Sequence, residues 1–209
     1  MEPAPGAPII VLGHGASGSA ATMAPHVAGL RARGIDARAI DLPKGRAERA
    51  VPLFAALLAG DLADDRRGLA ADERGIAAGP RIAAGPRIAV GGHSFGGRVA
   101  SLAAADACDA GRPPLGLVLL SYPLHPPGRP DDWGARTAHW PRLTCPVILL
   151  SGTSDPFAQP ALLQRAVAKR LPAAELVMFP RLGHGLTQLL DDVLDQVAGF
   201  VFRAAGLSR

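Results

Sequence analysis

Gly92-His93-Ser94-Phe95-Gly96 constrains what this chain can fold into more than any other stretch. The apolar run Ile88-Ala89-Val90-Gly91 leads into it, and the helix-forming run Gly97-Arg98-Val99-Ala100-Ser101-Leu102-Ala103 leaves it. A strand must therefore turn within a few residues into a helix. Side chains at Gly92 or Gly96 would collide where the helix crosses back over the sheet, which is why glycine stands on both sides of Ser94. The pattern is a nucleophile elbow. The turn strains Ser94 and lifts its hydroxyl clear of the sheet, and the positive end of the helix points at any negative charge formed there. A plainer reading of the same residues is a glycine-rich turn whose serine caps the helix.

A serine nucleophile needs an orienting acid and then a histidine, in that chain order, each at the end of a later strand. Pro146-Val147-Ile148-Leu149-Leu150 reads as a buried strand and ends in Ser151-Gly152-Thr153-Ser154-Asp155-Pro156-Phe157. The short strand Glu175-Leu176-Val177-Met178-Phe179 ends in Pro180-Arg181-Leu182-Gly183-His184-Gly185. Asp155 and His184 thus fall where the acid and the general base belong. Taken singly, Asp155 could be a solvated turn acid or the N-cap of the next helix, and His184 an exposed loop histidine. Order and strand ends together favour the triad Ser94, Asp155, His184.

An oxyanion needs two N–H donors. One belongs to the residue after the nucleophile, Phe95. The other belongs to the loop after an early strand. Pro8-Ile9-Ile10-Val11-Leu12 is that strand, and Gly13-His14-Gly15-Ala16-Ser17-Gly18 follows it, with Ala16 as the expected donor. The same glycines fit the dinucleotide fingerprint Gly-x-Gly-x-x-Gly, with Asp36 or Asp41 about twenty residues on. That alternative leaves Ser94, Asp155 and His184 without a role.

Along the chain the expected elements are strand 8–12, helix 19–33, strand 35–41, helix 46–60, strand 87–92, helix 96–108, strands 115–122 and 146–151, helix 159–170, strand 175–179 and helix 187–204. Alternation of this kind predicts an α/β fold. It is a three-layer α/β/α sandwich around a mostly parallel sheet of about six strands. The last helix is the most periodic, with Leu186, Leu189, Leu190, Val193, Leu194, Val197, Phe200 and Val201 on one face.

Two stretches interrupt the pattern. In 61–86, Ile76-Ala77-Ala78-Gly79-Pro80-Arg81 is followed at once by a second copy, Ile82 to Arg87. Two copies are too few for a solenoid and read as a surface excursion. The proline-rich stretch 123–145 reads as a short ordered loop in the position where lids are inserted, not as a helical cap domain. Tyr122, His125 and Trp140 are pocket-lining candidates, as are His14 and His93 beside the two glycine turns. His125 could compete as base, but it precedes the acid.

At 209 residues the chain suits a single domain, and 48% hydrophobic content makes it globular. No apolar run is long enough to span a bilayer, and no secretory signal is visible, so neither membrane nor export is expected. Of the 22 basic residues all but Lys44 and Lys169 are arginine, and the net charge is +4. The arginines are dispersed, without aromatic interleaving, so nucleic acid is not an expected partner. Cys108 and Cys145 read as isolated thiols in a reducing, cytoplasmic setting, packed as small hydrophobes. The six histidines are scattered without ligand spacing, so no metal is expected.

These residues together resemble the α/β-hydrolase superfamily, of the small dienelactone-hydrolase-like type. The matching stretches are Gly91 to Arg98, Tyr122-Pro123-Leu124-His125-Pro126-Pro127-Gly128, Gly152 to Phe157, and Gly183-His184. A closer resemblance is to a subgroup of predicted bacterial hydrolases that includes a testis-expressed animal protein and a subunit of an animal histone acetyltransferase complex. The resemblance implies a minimal fold without a cap domain. The chain departs from the family's pattern in starting at the strand before the first glycine loop, so the family's antiparallel N-terminal strands are not expected. The resemblance also implies a serine hydrolase that transfers an acyl group from a small-molecule substrate without a cofactor. A non-catalytic interaction module on the same fold is the alternative. Serine at position 94 argues against an aspartate-type dehalogenase.

Overall fold

The computed structural model describes residues 6–59 and 88–207. The expected excursion at 61–86 lies outside the described residues. Six strands form one sheet: β1 (Ile9–Gly13), β2 (Asp36–Ile40), β3 (Ile88–His93), β4 (Gly116–Leu120), β5 (Val147–Gly152) and β6 (Glu175–Phe179). Their order is β2-β1-β3-β4-β5-β6, and every neighbouring pair is parallel.

Helices cover both faces. They are α1 (Ala24–Ala32), α2 (Ala47–Ala59), α3 (Phe95–Asp109), the single turn α4 (Trp133–Arg136), α5 (Pro160–Arg170) and α6 (Leu190–Ala204). Alternate strand residues divide between two cores, as the period of two requires. Val11, Val90, Leu119 and Leu149 pack with Phe54 of α2, Val99 of α3 and Leu163 of α5. Ile10, Ala89, Val118 and Ile148 pack with Leu30 of α1 and Val197 of α6. Both faces are buried, so β4 reads as an unbroken apolar run with all of its residues inside.

Three elements differ from the sequence expectation. The stretch expected as one helix over 19–33 is a 3-10 turn at Ala20–Met23 followed by α1. Pro25 lacks an N–H and clashes within a helix interior, so it stands in the first turn of α1 and the α-helix starts beside it. The last helix likewise begins after a 3-10 turn, Thr187–Leu189, and Leu189 is 37% exposed instead of joining the apolar face. The stretch 123–145 holds short helical pieces, at Pro130–Asp132, α4 and Trp140–Arg142. It leaves the C-terminal end of β4 and re-enters at the N-terminal end of β5, so it must cross the sheet. It does so against α3, and Leu124 and Trp140 are fully buried there.

Register sets where the chemistry falls. Gly13 pairs with Gly92, His93 with Leu120, Leu120 with Leu150, and Gly152 with Phe179. The loops that follow β1, β3, β5 and β6 therefore leave from one edge of the sheet. These are the loops that carry Ala16, Ser94, Asp155 and His184. In open α/β sheets this carboxyl-end crevice is where ligands bind.

Candidate active site

Ser94 joins β3 to α3 with φ 51° and ψ −110°. A non-glycine residue in that region stores about 1–3 kcal/mol of strain. The turn is held from outside. The Ser94 N–H donates to the Leu120 carbonyl of β4 at 2.8 Å, and the Arg98 N–H donates to the Ser94 carbonyl at 3.0 Å. Ser94 occupies the N-cap of α3, yet its side chain makes no capping hydrogen bond. The hydroxyl is thus not committed to the helix. The two glycines are explained by one neighbour: a Cβ at either Gly92 or Gly96 would strike the carbonyl of Gly13. The helix crosses over β1 beside its own strand, and the elbow sits directly on the start of the first glycine loop.

Asp155 and His184 meet. The Nδ1–H of His184 donates to Oδ2 of Asp155 at 2.8 Å. The other carboxylate oxygen, Oδ1, accepts the Phe157 N–H at 2.8 Å. The Asp155 side chain is completely buried, while that of His184 is 22% exposed. A carboxylate cannot donate, so it fixes the proton on Nδ1 and leaves the Nε2 lone pair available. The two loops are stitched together by backbone and side chain. Thr153 N–H donates to the Phe179 carbonyl at 2.9 Å and Ser154 N–H to the Leu182 carbonyl at 2.8 Å. The Arg181 N–H donates to Oγ1 of Thr153 at 2.8 Å. The His184 ring lies between His93 and Phe157, with ring centroids 5.0 Å and 4.5 Å away.

The first glycine loop is a tight turn closed by the Gly18 N–H on the Gly15 carbonyl at 3.0 Å, and Ala16 sits exposed at its second position. Phe95 is the first residue of α3, and an N–H at that position has no partner within its own helix. His14 is 2% exposed and braces this loop. Its Nδ1–H donates to the Gly15 carbonyl at 2.7 Å, and its Nε2 accepts the Leu42 N–H at 2.9 Å. His93 braces the other side. Its Nε2–H donates to the backbone carbonyl of His184 at 2.8 Å. Burial lowers the pKa of His93, which keeps it neutral.

A family model described as an alpha/beta hydrolase domain matches residues 64–192, more than half of the chain. The chain belongs to the alpha/beta hydrolase family. Solved structures agree on the fold. Monoacylglycerol lipase from Paleococcus ferrophilus superposes with a TM-score of 0.71 at 15% identity, covering 97% of this chain and 96% of that one. An esterase from Thermogutta terrifontis gives 0.67 at 18% identity, over 100% and 89%. Dienelactone hydrolase from Anabaena variabilis gives 0.66 at 19% identity, over 97% and 88%. No curated protein matches the sequence.

In this alpha/beta hydrolase Tyr122, His125 and Trp140 lie inside, each at most 1% exposed. The Tyr122 hydroxyl donates to the Arg136 carbonyl at 2.6 Å, and burial pushes its pKa up to about 12. Its ring meets Trp140 edge-on at 5.2 Å. His125 donates from Nδ1 to the Pro126 carbonyl at 2.8 Å, and its own N–H holds the Phe157 carbonyl at 3.0 Å. These residues anchor the crossover between β4 and β5.

A serine–histidine hydrogen bond that no sequence motif announces joins Ser101 of α3 to His139 of the crossover. Ser101 Oγ accepts from Nε2–H of His139 at 2.8 Å and donates to the Arg98 carbonyl at 2.8 Å. Ser101 is 0% exposed, and its proton already points at a carbonyl. Sealed from any substrate, the pair is a strut between α3 and the crossover. Burial first, and then the nearby charges of Arg98 and Arg142, lower the His139 pKa to about 4.

Proposed function

We propose that this protein hydrolyses esters or related acyl compounds through an acyl-enzyme on Ser94. The observation that carries the reading is the Ser94 backbone: strained at φ 51°, at the tip of a helix it does not cap. The fold neighbours named above, a lipase, an esterase and a dienelactone hydrolase, support the substrate class.

Ser94 Oγ attacks the acyl carbonyl while Nε2 of His184 takes its proton. The carbonyl oxygen becomes an oxyanion, held by the N–H groups of Ala16 and Phe95 at the positive end of α3. As the tetrahedral species collapses, His184 returns the proton to the leaving alcohol. Water then enters, gives a proton to Nε2, and attacks the acyl group. The acid departs, and the proton returns to Ser94. Asp155 keeps His184 in the tautomer that presents Nε2 and stabilises the imidazolium formed at each step. The free thiols of Cys108 and Cys145 support a cytoplasmic setting.

Turnover of p-nitrophenyl acetate by wild type and Ser94→Ala tests this. Loss on the order of 10⁶ in kcat is expected if the triad acts as a unit. Equal turnover by a folded Ser94→Ala protein contradicts it.

A further inference from the structure

The two cysteines, read from the sequence as isolated, are neighbours in the fold. Cys108 lies in the last turn of α3, and Cys145 stands two residues before β5. The N–H of Thr144, the residue beside Cys145, donates to Sγ of Cys108 at 3.4 Å. Cys145 belongs to a core cluster against which Cys108 packs. Both are free, Cys108 half-buried and Cys145 buried.

We propose that Cys108 and Cys145 form an intramolecular disulfide when the protein meets a peroxide, an oxidative modification site that staples the nucleophile's helix to the acid's strand. The asymmetry of the pair assigns the order of events. Cys108 is reachable from solvent. Cys145 is buried, which also pushes its thiol up to about 12, so it is out of reach of an oxidant in solution. Nucleophilic attack on peroxide therefore begins at Cys108.

The chemistry balances with peroxide as the oxidant. Cys108 sulfur attacks one peroxide oxygen and becomes a sulfenic acid, and the O–O bond breaks to release the first water. Cys145 sulfur then attacks the Cys108 sulfur. The S–O bond breaks, the S–S bond forms, and the departing hydroxide takes the Cys145 proton as the second water. Each sulfur gives up one electron, and the peroxide is reduced by two. The bridge would lie at the end of the sheet opposite Ser94, since α3 runs back from the elbow and β5 runs toward Asp155. It is therefore a brace on the scaffold, and it stands or falls independently of the hydrolase reading.

The test is to treat the full-length protein with hydrogen peroxide, block remaining thiols by alkylation, and map peptides without reduction. The expected result is one monomeric species, lighter by the two thiol hydrogens, with a peptide joining Cys108 to Cys145. Its Tm should exceed that of the reduced protein by roughly 5–15 °C, a gain that reductant reverses. Cys108→Ser should abolish both the link and the gain. Cys145→Ala should leave Cys108 as a sulfenic or sulfinic acid. Oxidation of wild type that stops at Cys108 with Cys145 still open to alkylation in urea, or that links two chains, would overturn the proposal.

Discussion

His93 Nε2–H donates to the backbone carbonyl of His184 at 2.8 Å, so the residue before Ser94 holds the loop that carries the proposed base. The Nδ1 edge of the same ring faces the first glycine loop, where a Cβ on Gly15 would approach Nδ1 to 3.0 Å. One imidazole thus touches the elbow, the loop of His184 and the first glycine loop. Burial lowers its pKa.

Removing that donor should misplace His184 without unfolding the protein. His93→Phe is expected to lower kcat on the order of 10²-fold with KM little changed, because a small shift of a catalytic group is enough to do so. His93→Gln keeps an N–H donor and should recover part of the loss. Steady-state kinetics on a p-nitrophenyl ester decide it. Equal rates for wild type and His93→Phe would mean that His93 does not position His184.

Asp155, its side chain fully buried, fixes the tautomer of the partly exposed His184 through a bond of 2.8 Å. Asp155→Asn keeps the shape but offers an amide that can donate to Nδ1, which turns the Nε2 lone pair into an N–H. A kcat loss of roughly 10⁴-fold is expected. The far-ultraviolet spectrum should stay unchanged, which separates a tautomer effect from unfolding.

Gly96 is a steric requirement. A methyl group there meets the Gly13 carbonyl, which is backbone and has little freedom to withdraw. Gly96→Ala should weaken the fold by roughly 1–3 kcal/mol, measured by urea unfolding. Unchanged stability would mean that α3 rides higher over β1 than described.

His26 and His139 make stability fall in acid. Burial is the first cause at both; the adjacent His93 adds at His26, and Arg98 at His139, and both pKa values drop from 6.5 to about 4. Between those values the unfolded chain binds protons that the native protein refuses. Stability is therefore full above 6.5 and declines as pH falls toward 4, by roughly 3 kcal/mol for each histidine. Urea unfolding from pH 7 to 4 should trace this decline, and His26→Leu should flatten it in part. A slope unaffected by His26→Leu would count against the assignment.

The elbow was legible in the sequence because its logic is local. Gly92, Ser94 and Gly96 lie within five residues, and the strand and helix on either side carry their own periodicities. Strand ends were legible for the same reason, and these brought Asp155 and His184 to the same edge. The crossover at 123–145 was not. Its prolines erase any period, and Trp140 is buried by α3, a helix far from it in the sequence. An aromatic residue after a strand end reads equally well as pocket wall or as core. The His93 bond to His184 spans 91 positions and ends on a backbone carbonyl, which leaves no residue-type signal. Cys108 and Cys145 are brought together by the turn of α3 into β4 and the return through the crossover, again a property of topology.

Covalent labelling tests whether Ser94 is a nucleophile. A fluorophosphonate probe should modify the folded protein once, peptide mapping should place the adduct on Ser94, and Ser94→Ala should not react. A folded wild-type protein that takes up no probe, or that carries the adduct on another residue, would rule out Ser94 as the nucleophile.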